Sequence, residues 1–131
     1  MIALDTNVLV RYLVEDDKAQ SAAAAAAIDR AVAKGEELFV SDIVLCETAC
    51  VLAASYKVPR TTIAGILRDL LHAKHLAFRS PDELTRALDA FTHGTGDFAD
   101  YVIREHARTA ECTTVLTFDR TLLTEKGFAA P

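Results

Sequence analysis

The sequence predicts an α/β fold in which helices cover a mostly parallel sheet. Short apolar runs alternate with longer segments of helical periodicity along the whole chain. Strands that alternate with helices pair in parallel, because the chain needs a crossover to return to the same end of the sheet. The length of 131 residues, 51% of them hydrophobic, predicts a single domain over residues 1–131.

The N-terminal elements follow from apolar spacing and helix end signals. IALD at residues 2–5 predicts a short buried strand, and NVLVRYLVED predicts a helix directly after it. An alanine run predicts a helix over residues 17–34, which Gly35 ends. ELFVS predicts the second strand, and Ser41 or Asp42 caps the helix DIVLCETACVLAASY.

The C-terminal elements continue the alternation. Amphipathic spacing predicts a helix over residues 60–73, followed by LAFRS as the third strand. Pro81 is typical of a helix start, here of PDELTRALDAF, and HGTGD predicts a turn. A helix is expected over residues 98–110, then TTVLTF as the fourth strand, and finally a short helix and an edge strand around Phe128.

Charge and composition narrow the function classes. A net charge of −5 argues against nucleic-acid binding by a basic surface alone, but it is compatible with acids gathered at a metal site. No apolar run approaches the roughly 18 residues of a membrane span, and no signal peptide is recognisable. Three cysteines do not indicate a disulfide framework. We expect a cytoplasmic protein with no membrane partner.

Acidic residues stand where a parallel sheet binds its ligands. Asp5 ends the first strand and Asp119 follows the fourth, and ligands bind outside the carboxyl ends of parallel strands. If these two strands are neighbours, the two carboxylates converge. Thr6 and Asn7 fit as polar donors that orient the carboxylates.

Three further acids lack an evident cationic partner. The residues one turn from Glu47 are apolar, and the segment 43–54 is otherwise almost uniformly buried in character. Asp97 and Asp100 share one face at the start of a helix, where helix capping is the competing explanation. Carboxylates gathered in one crevice bind protons or hold a cation. Oxygen ligands suit Mg²⁺ or Mn²⁺, so these acids predict a metal-dependent phosphoryl-transfer site.

Four segments resemble, in order, the acidic motifs of the PIN domain: LDTNVLVRYL, VSDIVLCET, GDFADYVI and VLTFDR. The resemblance is closest to ribonuclease toxins of the VapC type and covers essentially the whole chain. It implies a three-layer α/β/α sandwich around a central, mostly parallel sheet. It also implies an endoribonuclease that hydrolyses RNA with a metal-activated water. Such proteins are toxin components of type II toxin–antitoxin systems, neutralised by a cognate antitoxin.

The resemblance assigns roles residue by residue. Asp5 and Asp97 match the principal metal-binding aspartates, and Asp119 matches a less uniform further metal-binding acid. Glu47 matches the acid of the third helix and completes the predicted catalytic set. Asp100 matches an additional acid near the metal. The supporting polar pair of the family is matched by Thr6 and Asn7.

The acidic residues alone are also compatible with other classes of protein. A phospho-acceptor receiver domain would need an aspartate after the third strand, where LAFRS has none. A non-catalytic RNA-binding or interaction module would not require five unpaired acids. A metal-dependent phosphatase or DNA nuclease is possible on the chemistry of the acids.

Assembly is predicted from surplus apolar positions. The helices around Val44–Leu52 and Ile63–Leu71 carry more of them than one sheet face can cover. They predict a homodimer with an isologous interface, as the resemblance also implies. The antitoxin is expected to insert a basic side chain, preferably arginine, into the acidic pocket, because arginine pairs with carboxylates in bidentate fashion.

Overall fold

Parallel strand pairing, predicted from the alternation of elements, is found in every strand pair of the protein. The computed structural model describes residues 1–131 as two compact units, Met1–Arg79 and Ser80–Pro131. Each unit has its own sheet, of three and two strands respectively. The single domain expected over residues 1–131 stays a prediction.

The first unit contains a three-stranded sheet and four helices. Its elements are β1 (Ile2–Ala3), α1 (Thr6–Leu13), α2 (Lys18–Ala33), β2 (Leu38–Phe39), α3 (Asp42–Ala54), α4 (Arg60–His72) and β3 (Leu76–Ala77). The strand order is β1-β2-β3, with Leu38 opposite both Ile2 and Leu76. All seven elements agree in type and order with the sequence predictions. The carboxyl ends of the three strands therefore lie on one edge of this sheet.

The second unit contains two helices and a two-stranded sheet. Its elements are α5 (Pro81–His93), α6 (Phe98–Thr109), β4 (Val115–Leu116), a 3₁₀ helix (Leu122–Thr124) and β5 (Phe128–Ala129). Val115 pairs with Phe128. Pro81 opens α5 as predicted, because its missing N–H group has no partner to lose at the first turn. The rings of Phe91 and Phe98 meet edge to face at 6.1 Å between centroids, which fastens α5 to α6.

Each unit has apolar side chains that are withdrawn from water. In the first unit the most buried are Leu9, Leu38, Val40, Leu45, Leu52 and Leu67, and in the second they are Leu84, Ala87, Phe98 and Tyr101. Fully burying one such side chain contributes about 1.5–3 kcal/mol relative to leaving it in water. No helix combines the length with the apolar character that crossing a bilayer requires.

Two expectations about burial are wrong. Strand β1 was expected to be buried, but Ile2 is 47% exposed, since β1 lies at the end of its sheet with a single partner strand. Helix α3 is not uniformly buried, because Ile43 is 71% exposed and Glu47 and Cys50 are exposed too. These three positions recur every three to four residues and form one outward face.

The apolar surplus expected on α3 and α4 is confined to an exposed face of α3. The core-facing positions are buried within this chain, namely Val44, Leu45, Leu52, Ile63, Leu67 and Leu70. What α3 leaves in water is the face with Ile43 and Cys50. Any self-association through α3 would therefore use that face and not the residues on which the expectation rested.

Candidate active site

Asp5 is the N-cap residue of α1 and follows directly on the edge where β1 ends. Its backbone is extended, with φ −81° and ψ 160°, and Leu4 continues the strand pairing by donating its N–H group to Phe39 O at 2.9 Å. An aspartate at this position ordinarily accepts a hydrogen bond from the first helical turn. Here the exposed carboxylate accepts none, so it is available to a ligand at the start of α1.

Glu47 is joined to the same helix start through Thr6. The buried Thr6 hydroxyl donates to Glu47 Oε1 at 3.0 Å, and this orients an otherwise exposed carboxylate. Asn7 is exposed and lines an open groove of about 480 Å³ with Val8 and Arg11. The first unit thus brings Glu47 to Thr6, the neighbour of Asp5, while Asn7 faces a groove beside α2.

Asp97 and Asp100 occupy the N-cap and N3 positions of α6 in a capping box. Asp100 Oδ2 accepts the N–H group of Asp97 at 2.9 Å. Burial, followed by the charges of Asp97, Asp119 and Glu125, raises the pKa of Asp100, against the lowering effect of that hydrogen bond. Asp100 therefore does cap the start of α6, and both acids also belong to a wider group of negative charges.

Asp119 is held in a tight turn just beyond β4. Its Oδ1 accepts from the Thr121 hydroxyl at 2.7 Å and from the Thr121 N–H at 2.9 Å, while its own N–H donates to Thr117 Oγ1 at 3.0 Å. The Thr121 hydroxyl is the main reason that the pKa of Asp119 is lowered. The Asp119 carboxylate is therefore held in one orientation by Thr121, on an exposed turn where it can contact a ligand.

Glu125 belongs to this acidic group and was not predicted from the sequence. It accepts the hydroxyl proton of buried Tyr101, at 2.7 Å to Oε2 and 2.9 Å to Oε1. The same hydroxyl oxygen accepts the Gly96 N–H at 2.9 Å. A side chain at Gly94 would overlap the Tyr101 hydroxyl and lie 2.6 Å from Glu125 Oε1. No periodicity or motif points to Glu125, so only the folded unit reveals it.

The predicted residues thus form two groups, one in each unit. The first group is Asp5, Thr6 and Glu47, and the second is Asp97, Asp100 and Asp119, which Glu125 joins although it was not predicted. That both groups serve one site stays a prediction. No three His, Cys, Asp or Glu side chains are arranged to chelate a metal ion. The donors are nevertheless hard carboxylate oxygens, which suit Mg²⁺ or Mn²⁺ with several retained waters.

Comparison with known proteins places the chain in a family. No curated protein matches it significantly. Residues 2–127 match the family model described as the PIN domain. Together with the six helices and the parallel pairing, this match confirms the predicted α/β/α fold class. PIN domains are generally metal-dependent nucleases. Since the match spans nearly the whole sequence, the protein belongs to the PIN-domain family.

Proposed function

We propose that this protein is a divalent-metal-dependent endoribonuclease. The geometry of Asp5 is the main support for this proposal. Asp5 is an N-cap aspartate whose carboxylate does not cap the helix, and it lies at the carboxyl end of a parallel strand. An acid that gives up its local hydrogen bond keeps its oxygens for something else. Membership of a family of nucleases supports hydrolysis of a phosphodiester as that use.

Each acid has a role that its surroundings support. Asp5, Asp97 and Asp119 are the proposed ligands of Mg²⁺ or Mn²⁺. Glu47 is proposed as a further catalytic carboxylate. The bound ion would supply an activated water and shield the phosphate charge. Thr6 orients Glu47, and Thr121 orients Asp119. Asp100 and Asn7 support the site, Asp100 by organising the start of α6.

We also propose the compartment and the protein partners of this ribonuclease. We place the protein in the cytoplasm as the toxin of a type II toxin–antitoxin system, with RNA as substrate. All three cysteines are free, as expected of a reducing compartment. A cognate antitoxin would insert an arginine among the acids. A homodimer would use the exposed α3 face with Ile43 and Cys50, with the same patch on both subunits.

The receiver-like alternative gains no support from the fold. Strand β3 ends at Ala77 and is followed by Phe78 and Arg79. An acceptor carboxylate is therefore missing where that class of protein needs one. A protein that serves only as an interaction module would have no use for an N-cap aspartate whose carboxylate forms no cap hydrogen bond.

RNA cleavage by the purified protein tests the proposal. A structured RNA should be cut in the presence of Mg²⁺ or Mn²⁺ and left intact in excess chelator. Asp5→Asn and Asp97→Asn should each abolish cleavage with an unchanged circular dichroism spectrum, because the amide keeps the shape and removes the charge. Asp29→Asn is the matched control, an exposed aspartate of α2 that should cut normally. Undiminished cleavage in chelator would overturn the proposal.

A further inference from the structure

Phe118 is an aromatic ring left in water beside a candidate ligand acid. It is 88% exposed and directly precedes Asp119. The other five phenylalanines of the chain are buried or half-buried: Phe39, Phe78, Phe91, Phe98 and Phe128. Leaving such a side chain in water forgoes about 1.5–3 kcal/mol of burial. Single exposed apolar residues are common. The inference therefore depends on the position of Phe118 next to Asp119 and not on its exposure alone.

The turn that presents Phe118 is held on both sides by hydrogen bonds. Asp119 N–H donates to Thr117 Oγ1 at 3.0 Å, so the residues before and after the ring are tied together. Thr121 then fastens the Asp119 carboxylate. The ring is therefore displayed by an ordered turn at a fixed place next to that carboxylate. A binding surface prepared in this way costs little ordering entropy when a ligand arrives.

The chemistry around the ring favours a nucleobase over a protein side chain. The residues of the turn are polar or charged, with Thr117, Asp119 and Arg120 beside the ring. The core of a protein interface is depleted of charged residues, whereas a flat ring with an adjacent cation suits a base and its phosphate. The net charge of −5 gives no general attraction for RNA, so a contact that does not depend on overall charge would add to the affinity. Stacking is such a contact.

We propose that Phe118 stacks on an unpaired base of the RNA substrate, and that Arg120 contacts a neighbouring phosphate. The inference rests on the proposed ribonuclease function and adds a base-stacking residue to it. This contact requires an unpaired base, since a base inside a duplex has no free face to offer. Phe118 is thus a positioning residue that sets which nucleotide lies against the acids.

A fluorescence titration tests the contact without requiring cleavage. The chain contains no tryptophan, so Phe118→Trp introduces a single tryptophan at the site, whose emission is excited selectively at wavelengths that tyrosine barely absorbs. In an Asp97→Asn background, which leaves RNA uncut, a short single-stranded RNA should quench this fluorophore saturably, and the corresponding duplex should quench it less. Leu116→Trp is the matched control, an apolar position two residues earlier that is 62% exposed, and it should respond weakly.

Kinetics of the otherwise wild-type protein supply the second readout. Phe118→Ala should raise KM for single-stranded RNA roughly 5- to 150-fold, which corresponds to 1–3 kcal/mol for one stacked base. Its kcat should change little, and Phe118→Tyr should restore KM. Leu116→Ala should leave both constants unchanged.

The outcomes separate this inference from the proposed function. If RNA is cut normally but the Phe118→Trp signal is not quenched, the stacking role is wrong and the ribonuclease stands. Equal quenching at positions 116 and 118 would indicate a general apolar docking face and would also overturn the stacking role. If RNA is neither bound nor cut, both proposals fail.

Discussion

The hydroxyl of Thr6 donates a 3.0 Å hydrogen bond to Oε1 of Glu47, across 41 positions of sequence. Thr6 is the first residue of α1 and is only 8% exposed, whereas Glu47 is exposed on α3. A buried, fixed donor therefore sets the direction of a carboxylate that could otherwise rotate in water. Because Asp5 immediately precedes Thr6, the bond ties Glu47 to the residue next to the proposed metal ligand.

Thr6→Val should show whether the orientation of Glu47 matters for cleavage without disturbing the fold. Valine keeps the shape and removes the donor, so RNA cleavage should fall roughly 10- to 100-fold, as for other groups that orient metal-site carboxylates. The free energy of unfolding, measured in urea, should fall by only about 0.5–1.5 kcal/mol. Thr6→Ser keeps the hydroxyl and should stay close to wild type in cleavage. Wild-type rates in Thr6→Val would show that Glu47 needs no orientation.

Metal binding should appear as thermal stabilisation. Folding gathers Asp97, Asp119 and Glu125 around Asp100, and their mutual repulsion lowers stability at neutral pH. An ion that binds only the folded protein stabilises it by roughly 2.7 kcal/mol at about 100 times its Kd, which for a domain of this size is a shift in Tm of several degrees. Asp97→Asn should reduce the shift and can raise the metal-free Tm. A wild-type melting curve that ignores Mg²⁺ and Mn²⁺ would mean that the acids form no metal site.

Local signals made the secondary structure predictable. The alanine run and Gly35 specify α2 and its end, because helix propensity and left-handed backbone act within a few residues. Ser41, one of two predicted caps of α3, does accept the N–H of Val44. The positions of Asp5 just after β1 and of Asp119 just after β4 were predicted in the same way, whereas their role as metal ligands stays a prediction.

Features that depend on tertiary packing were not predictable in the same way. The pairing of Tyr101 with Glu125 joins positions 24 apart, and no periodicity encodes it. Helix α3 is apolar on its exposed face as well as on its buried face, so composition could not tell Ile43 from Leu45. Asp97 and Asp100 were ambiguous because a helix cap and a metal ligand favour the same residue type at the same position.

Two arginines that share one acceptor should differ in their contribution to stability. Glu105, only 4% exposed, receives Arg86 Nε at 3.0 Å from α5 and lies 3.6 Å from Nη1 of the more exposed Arg108. Arg86→Ala leaves a buried carboxylate without its close donor and should cost about 1.5–3 kcal/mol. Arg108→Ala removes the same charge from a longer, more solvated pair and should cost less than about 0.5 kcal/mol. If urea unfolding gives the same loss of free energy of unfolding for both variants, the charge of the arginines and not the close hydrogen bond determines their contribution.

Tyr56 should give the protein a pH-dependent increment of stability. Its hydroxyl donates to Asp16 Oδ2 at 2.7 Å and accepts from Arg11 at 2.8 Å. The Tyr56 hydrogen bond, more than the Arg11 charge, lowers the pKa of Asp16 from 3.8. A lowered folded-state pKa means that the ionised carboxylate stabilises the fold above pH 3.8, and that this contribution is lost as the pH falls through the lowered value.

Tyr56→Phe should therefore lower Tm by a constant amount at neutral and mildly acidic pH, and by less below pH 3.8. Tyr12→Phe is the matched control, since Tyr12 lies in the same unit and is partly exposed. Its effect on Tm should not vary over this range. Thermal melts of the three proteins across the acid range provide the measurement. A Tyr56→Phe difference that grows towards low pH would contradict the assigned sign.

Glu111 should be a position at which glycine stabilises the protein. Helices α2 and α6 end in the same motif, with Gly35 at φ +69° and Glu111 at φ +66° in the equivalent place. In α6, Cys112 N–H reaches Ala107 O at 2.8 Å and Glu111 N–H reaches Arg108 O at 3.0 Å, so the motif is complete. A residue with a Cβ pays about 1–2 kcal/mol for this left-handed backbone, and glycine does not.

Glu111→Gly should therefore raise the free energy of unfolding by up to about 1 kcal/mol, since the greater freedom of glycine in the unfolded chain offsets part of the gain. Gly35→Ala should lower it by about 1 kcal/mol. An added Cβ at Gly35 meets no atom within 4 Å, so that loss is conformational and not steric. Glu111→Gln separates the two causes, because it removes a negative charge from the negative end of the helix dipole but keeps the Cβ. If urea unfolding gives Glu111→Gln the same gain as Glu111→Gly, the charge and not the backbone is responsible.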